Sequence, residues 1–216
     1  MAHKELRFEE IKPNKVAVLK YDLPYERLEV TEPGLTQFIF DVPDSNVSKK
    51  VDVVLKVEGA EAEVLGSYVG NGNQEIDLEV NSIHEVPNTR CLTQIRGVMT
   101  DHSDSKFKGM IVIREGAQKT ASYLDHDVLI LGKNAKNQSE PGLEIEADDV
   151  KATHGATTGR ILDEHLFYLM SRGISKKESE KLVIEGFLSP AVEKVQDEEV
   201  KNYLSIRLQK AIEQAC

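Results

Sequence analysis

The sequence predicts a mainly β protein, a parallel β-helix followed by a small α-helical tail. Three observations carry this: short alternating apolar and polar runs fill residues 15 to 161, the later runs recur at an even interval, and the period turns helical at residue 162. The runs are "KVAVLKY", "RLEVT", "TQFIFDV", "VDVVLKV", "AEVLGSYV", "EIDLEVNSIHEV", "CLTQIRGVM", "KGMIVI", "DVLILG" and "LEIEA", with Gly, Pro, Asn and Asp at the joints. In "EIDLEVNSI" the alternation aims Ile76, Leu78, Val80 and Ile83 inward and the acids at water.

From Ile111 through Ile130 to Ile145 the runs return roughly every 16–20 residues, the spacing of a stacked solenoid whose coils each contribute one or two strands. An antiparallel sandwich is the rival, but it needs tight two-residue hairpins, and "GNGNQ" at 70–74 is the one strong signal of that kind.

The helical tail is read in three pieces. "LDEHLFYLMSRG" puts Leu162, Leu166, Leu169 and Met170 on one face, with Asp163 and Glu164 at the positive N-terminal end and Arg172–Gly173 as the stop. Ser175 with Glu178 forms a capping box that opens "KKESEKLVIEGFL", with Leu182, Val183 and Phe187 inward. "SPAVEKVQ" and "DEEVKNYLSIRLQKAIEQAC" continue helical, the latter with Val200, Leu204, Leu208 and Ile212 four residues apart. The division is 1–161 for the β domain and 162–216 for the helical one.

Composition narrows function. A formal net charge of -10, with Lys and Arg scattered among acids, argues against nucleic acid as a partner. No run of eighteen apolar residues offers a membrane span, and the charged start "MAHKELRFEEIKP" lacks a signal-peptide core, so a soluble, cytoplasmic protein is expected. With two cysteines, Cys91 and Cys216, and no CxxC pair, a metal site must borrow ligands from elsewhere. The P-loop, G-x-S-x-G and H-E-x-x-H patterns are absent.

The chemistry-bearing candidates are few. His154 lies in "DDVKATHGATTGRIL" (148–162) beside Gly155; an imidazole there can ligate iron or move a proton, or simply be a polar residue in a loop. Cys91 can serve as a thiolate ligand or as small buried filler. Cys216, last in the chain, is a poor preorganised ligand. Glu146, Asp148 and Asp149 are read as a solvated face; a β-helix carbohydrate-active enzyme would pair such acids with sugar-stacking aromatics, yet Trp is absent and aromatics make up 6%. Phe167, Tyr168, Arg172, Gly173 and Ile174, in "FYLMSRGI", suit a partner groove, although Phe167 can equally pack on the end of the solenoid.

"REGAQKTASY", "QSEPGLEIEADDVKATHGATTGRI" and "LFYLMSRGISKKESEKLVIEGFL" together resemble the SufB/SufD family, scaffold proteins of SUF iron–sulfur cluster assembly, over about residues 107–190. The resemblance implies a right-handed parallel β-helix, a C-terminal helical domain that docks the SufC ATPase, and no catalytic activity of the chain's own. It implies that His154, in a SufD-type "HGAT", lies at a dimer interface with a SufB-like paralogue or a second copy. There an iron–sulfur cluster would form transiently and would not be retained by the isolated protein. Two departures stand out: Gly155 replaces a glutamate typical of SufB-type sequences, and Ala135 falls where those carry a cysteine. The chain is also shorter than typical members and lacks their N-terminal helical region, as a SufD-like minimal version would. The other reading is a structural homodimer whose metal role has decayed.

Overall fold

The computed structural model describes the backbone of residues 8–11 and the chain from residue 15 to 215. Cys216 therefore lies outside the described residues. The strands are β1 (Phe8–Ile11), β2 (Lys15–Leu19), β3 (Tyr25–Val30), β4 (Gly34–Phe40), β5 (Val47–Leu55), β6 (Ala60–Gly70), β7 (Glu75–His84), β8 (Arg90–Met99), β9 (Asp104–Ile113), β10 (Thr120–Ile130), β11 (Lys136–Ile145) and β12 (Val150–Arg160). Three helices follow: α1 (Asp163–Met170), α2 (Lys176–Glu193) and α3 (Glu198–Ala215).

Odd-numbered strands form one six-stranded sheet and even-numbered strands another, and every neighbouring pair is parallel. The chain thus alternates between two facing sheets, one strand to each per coil. Ile111, Ile130 and Ile145 lie on β9, β10 and β11, so the interval read from sequence is a half-coil and the full repeat is twice as long. The "GNGNQ" segment turns a corner from one sheet to the other, with Gly72 at φ 59°, and closes no hairpin.

The coils lengthen along the chain. Lys15 pairs with Thr36, Gly34 with Ala60, Glu61 with Arg90, and Arg90 with Ala121: successive steps of 21, 26, 29 and 31 residues. At one corner the left-handed residues Gly59, Asn88 and Lys119 mark successive coils, and the Gly59 and Asn88 N–H groups donate to the carbonyls of Asn88 and Gln118 in the next coil up. This is how a turn can repeat without leaving buried amides unpaired.

Inward-facing side chains of both sheets fill the lumen: Leu28, Phe38, Val51, Val64, Leu78, Ile95, Phe107, Ile111 and Leu124 belong to one continuous buried cluster. Where one residue is large its neighbour is small. A Cβ on Gly97 would run into the Tyr68 ring, its register partner on β6, so any larger residue there would force that ring to shift. Along β7 burial alternates without a break, so Ser82 and His84 follow Ile76, Leu78 and Val80 inward, while Ile83, expected inside, faces out.

The helices cover the outer face of the even sheet. Ile184, Leu188 and Ile212 pack on Val69 and Val98, and Val192, Val195 and Leu204 pack on Ile39 and Leu65. Polar contacts fix the seam: Arg96 donates to the Phe187 carbonyl at 2.8 Å, Ser67 to that of Leu188 at 2.9 Å, and Gln37 to that of Lys194 at 2.9 Å. The Ser175–Glu178 capping box forms as expected. The buried face of α2 is offset from the one expected: Ile184, Leu188, Ala191 and Val192 are inside, Phe187 is half-buried and Leu182 is exposed, because the sheet beneath α2 sets its rotation. On α1 only Leu166 is buried, and Leu162 and Met170 are exposed.

A candidate site at the open rim of the solenoid

The segment read from sequence as a polar loop around His154 is strand β12, the edge of the even sheet; β11 is the corresponding edge of the odd sheet. Register places His154 over Leu124, Ala152 over Ser122 and Ala156 over His126. Leu124, Ser122 and His126 are all buried lumen residues, so His154 belongs to the lumenal row. It is nonetheless exposed, because no further coil lies on top of it. On β11 the lumenal residues Leu143 and Ile145 stand over Ile111 and Ile113 and are 40% and 41% exposed, whereas those below are fully buried. The rim is therefore an uncapped cross-section of the core, flanked by two strand edges with a free row of backbone groups each.

Cys91 also faces the lumen, in the row Ala62–Cys91–Ser122–Ala152, two rungs below the rim. At about 4.8 Å per rung it lies roughly 10 Å down from the level of His154, and the structure does not bring the two together. Burial pushes its thiol up to about 12, so it is an inert, protonated group as it stands. Ala135, in the turn before β11, is buried in the core cluster.

Gly155 faces the opposite side of β12. A Cβ there would lie 3.2 Å from Asp125 Oδ1 and 4.0 Å from the Tyr123 hydroxyl. Burial, and then the neighbouring Asp127, hold the Asp125 carboxyl above the usual carboxylate range. A glutamate at 155 would enter a place where acids already repel one another. Among the described residues no three His, Cys, Asp or Glu side chains converge on a common point that could hold a metal ion. The described residues alone therefore offer no complete metal site at the rim.

Sequence reasoning missed two lumenal histidines. His84 Nδ1 lies 2.8 Å from Thr89 Oγ1, and burial lowers its pKa to about 4; its Nε2 has no partner. His126 stacks on Phe107 with ring centroids 4.1 Å apart, touches the Tyr68 hydroxyl at 3.0 Å and Ser139 Oγ at 2.7 Å, and is lowered to about 3 by burial. Continued alternation past Val80, and from Leu124 to Val128, is the signal that locates both.

The other candidate surface is α1. Phe167 is 73% exposed and so does not pack on the end of the solenoid; Tyr168, Leu162, Met170 and, from α2, Leu182 are exposed as well. The Arg172 guanidinium lies 4.2 Å from the Tyr168 ring centroid, and Gly173, at φ 86°, ends the helix and leads through half-buried Ile174 into α2. The acids of "LEIEADD" do not pair for catalysis: Glu144 and Glu146 both bind Arg114, at 2.7 and 3.0 Å, while Asp148 and Asp149 are exposed. Among the described residues no helix is long and apolar enough to cross a membrane.

A family model described as SUF system FeS cluster assembly, SufBD core domain, matches residues 27–187. The iron–sulfur cluster assembly protein SufD of Bacillus subtilis is 40% identical over 136 residues, 63% of this chain and 31% of that protein. SufD of Escherichia coli is 39% identical over 111 residues, 51% and 26% respectively. SufB of B. subtilis is 27% identical over 175 residues, 79% and 37%. The chain thus spans about a third or less of the length of the SufD proteins it matches.

Proposed function

The chain belongs to the SufBD family of iron–sulfur cluster assembly proteins, and on that premise we propose that it is a SufD-like scaffold subunit whose rim, with His154 in its lumenal row, completes a cluster-building pocket against a second chain. The observation that carries this reading is the coincidence of three features at one end: an exposed lumenal imidazole, two unpaired strand edges, and lumenal apolar residues left uncovered. The cluster is cargo, and a SufB-like paralogue or a second copy supplies the thiolates it needs, since one imidazole is not a sufficient ligand set. Residues 1–161 do the pairing.

Residues 162–216 dock the SufC ATPase through Phe167, Tyr168 and the Arg172–Gly173–Ile174 turn, in a protein without catalytic activity of its own. Support for this comes from α1, where Phe167 and Tyr168 stay exposed and the Arg172 guanidinium lies against the Tyr168 ring. ATP-driven movement of that partner is coupled to the rim through α2 and α3, which lie on the same even sheet that carries β12. The place of action is the cytoplasm.

Anaerobic reconstitution with iron and sulfide in the presence of a SufB-like chain tests the first half: His154→Ala is expected to lose most of the cluster absorbance, and equal absorbance for both proteins removes His154 from the reading. For the second half, Phe167→Ser with Tyr168→Ala is expected to abolish co-purification with SufC. Point changes serve better than deleting 162–216, which would strip the apolar cover from Ile39, Leu65, Val69 and Val98. A second reading, a structural pair with a decayed metal role, draws support from Gly155 and Ala135; it predicts no cluster under either condition.

A further inference from the structure

Below the rim, opposing sheets are locked by apolar side chains that meet across the lumen; in the last coil this packing thins to Ala135, Ala147, Val150 and Ala152, while Leu143 and Ile145 are partly uncovered. A hydrogen-bonded network supplements it, reaching from one buried ring through Ser139 to Asn137. His126 Nδ1, on β10, lies 2.7 Å from Ser139 Oγ on β11. Asn137 Nδ2, also on β11, donates to Ser139 Oγ at 3.0 Å and to Thr158 Oγ1 on β12 at 2.7 Å, while its Oδ1 accepts from Ser105 on β9 at 2.7 Å. The network therefore runs from the even sheet to the odd edge strand and back to the even edge strand. Thr158 stands in the same lumenal row as His154.

The ring itself is held from every side. It stacks on Phe107 with an interplanar angle of 19°, and its Nε2 contacts the Tyr68 hydroxyl at 3.0 Å. With both nitrogens engaged and no exposure, it has a single orientation, and a neutral imidazole presents one donor and one acceptor to its two hydroxyl partners. We infer that His126 is the positioning residue of the rim: from one coil below, it sets β11 and β12 in the mutual geometry that presents His154 for pairing. The inference rests on the scaffold reading for its purpose and on the network alone for its mechanism.

The full-length chain with Ser139→Ala tests it, since this change removes the tether and no core volume; His126→Phe, which keeps a ring against Phe107, is the second variant. Two readouts apply: amide hydrogen exchange of β11 and β12 against β6 and β8, and the NMR signal of the His154 ring. The expected result is exchange about fivefold faster in β11 and β12 with β6 and β8 unchanged, the loss of one net hydrogen bond expressed locally. A displaced or broadened His154 signal and recovery of both readouts in Ser139→Thr, which restores the hydroxyl, are also expected. Unchanged exchange at the rim overturns the inference, as does equal acceleration in every strand, which would mark Ser139 as a contributor to overall stability only. Reconstitution that ignores His154 would remove the scaffold reading and leave these readouts as they are.

Discussion

The ammonium of Lys49, inside the solenoid, lies 3.0 Å from the carboxylate of Glu26. Lys49 alternates inward with Val47, Val51, Val53 and Leu55, so its side chain is fully buried. It survives there because each proton has an acceptor: Nζ donates to the Lys20 carbonyl at 2.7 Å and the Leu23 carbonyl at 3.0 Å besides meeting Glu26. The lumen at the level of β5 thus holds a satisfied cation. Lys49→Ala strands Glu26 and two carbonyls, and is expected to cost about 3–5 kcal/mol in urea unfolding. A loss under 1 kcal/mol would show that water replaces the ammonium.

Acid should unfold this protein through its lumen. His84 and His126 are neutral in the folded state, lowered from 6.5 to about 4 and about 3 by burial. A depressed folded pKa means the unfolded chain binds more protons below 6.5, so the stability these groups permit is fully present above that pH and is lost as pH falls toward 4 and then 3. At about 1.4 kcal/mol per pKa unit the decline amounts to several kcal/mol. Urea midpoints from pH 8 to pH 4 are expected to be flat and then to drop, with a shallower slope in His126→Phe.

Gly97→Ala forces a methyl group into the Tyr68 ring. Overpacking of this kind costs about 1–3 kcal/mol. Because the obstacle is a side chain, Tyr68→Leu in the same molecule should recover part of the loss, and a double-mutant cycle on thermal unfolding measures it. Strict additivity of the two changes would disprove the contact.

His154→Ala, by contrast, alters an exposed residue that makes no hydrogen bond or ion pair among the described residues, and should change unfolding free energy by less than about 0.5 kcal/mol. Loss of most cluster reconstitution without loss of stability is the expected signature of a site residue.

Gly155→Glu places a carboxylate against Asp125 and Asp127. It is expected to destabilise the chain by about 1 kcal/mol at neutral pH and less near pH 4, and Asp125→Asn should relieve the cost. Equal stability of Gly155→Glu and the parent at both pH values would contradict it.

The lumenal strands were legible because a two-sided sheet with one buried face writes its geometry into alternation, as in "EIDLEV". The same logic explains what was missed. Strand β12 reads Val-Lys-Ala-Thr-His-Gly-Ala-Thr-Thr-Gly-Arg; its lumenal positions are small or polar because nothing covers them, so the alternation fades where the core ends. Hydrophobicity points Ile83 inward, whereas strand parity places Ser82 and His84 inside and Ile83 outside, and the fold follows parity. The rotation of α2 depends on residues far away in sequence, Val69 and Val98 of the even sheet, and no local pattern specifies it. The capping box at Ser175, being local, was fully visible.

The steady growth of the coils from 21 to about 30 residues gives the molecule a foot and a mouth of different girth. A stacked polymer would require the mouth of one molecule to seat on the foot of the next, and the mismatch in circumference opposes that fit. Mouth can meet mouth, however, and such a union uses up both free edges at once. On the proposed scaffold reading, the taper favours closure of the exposed edges over fibre growth.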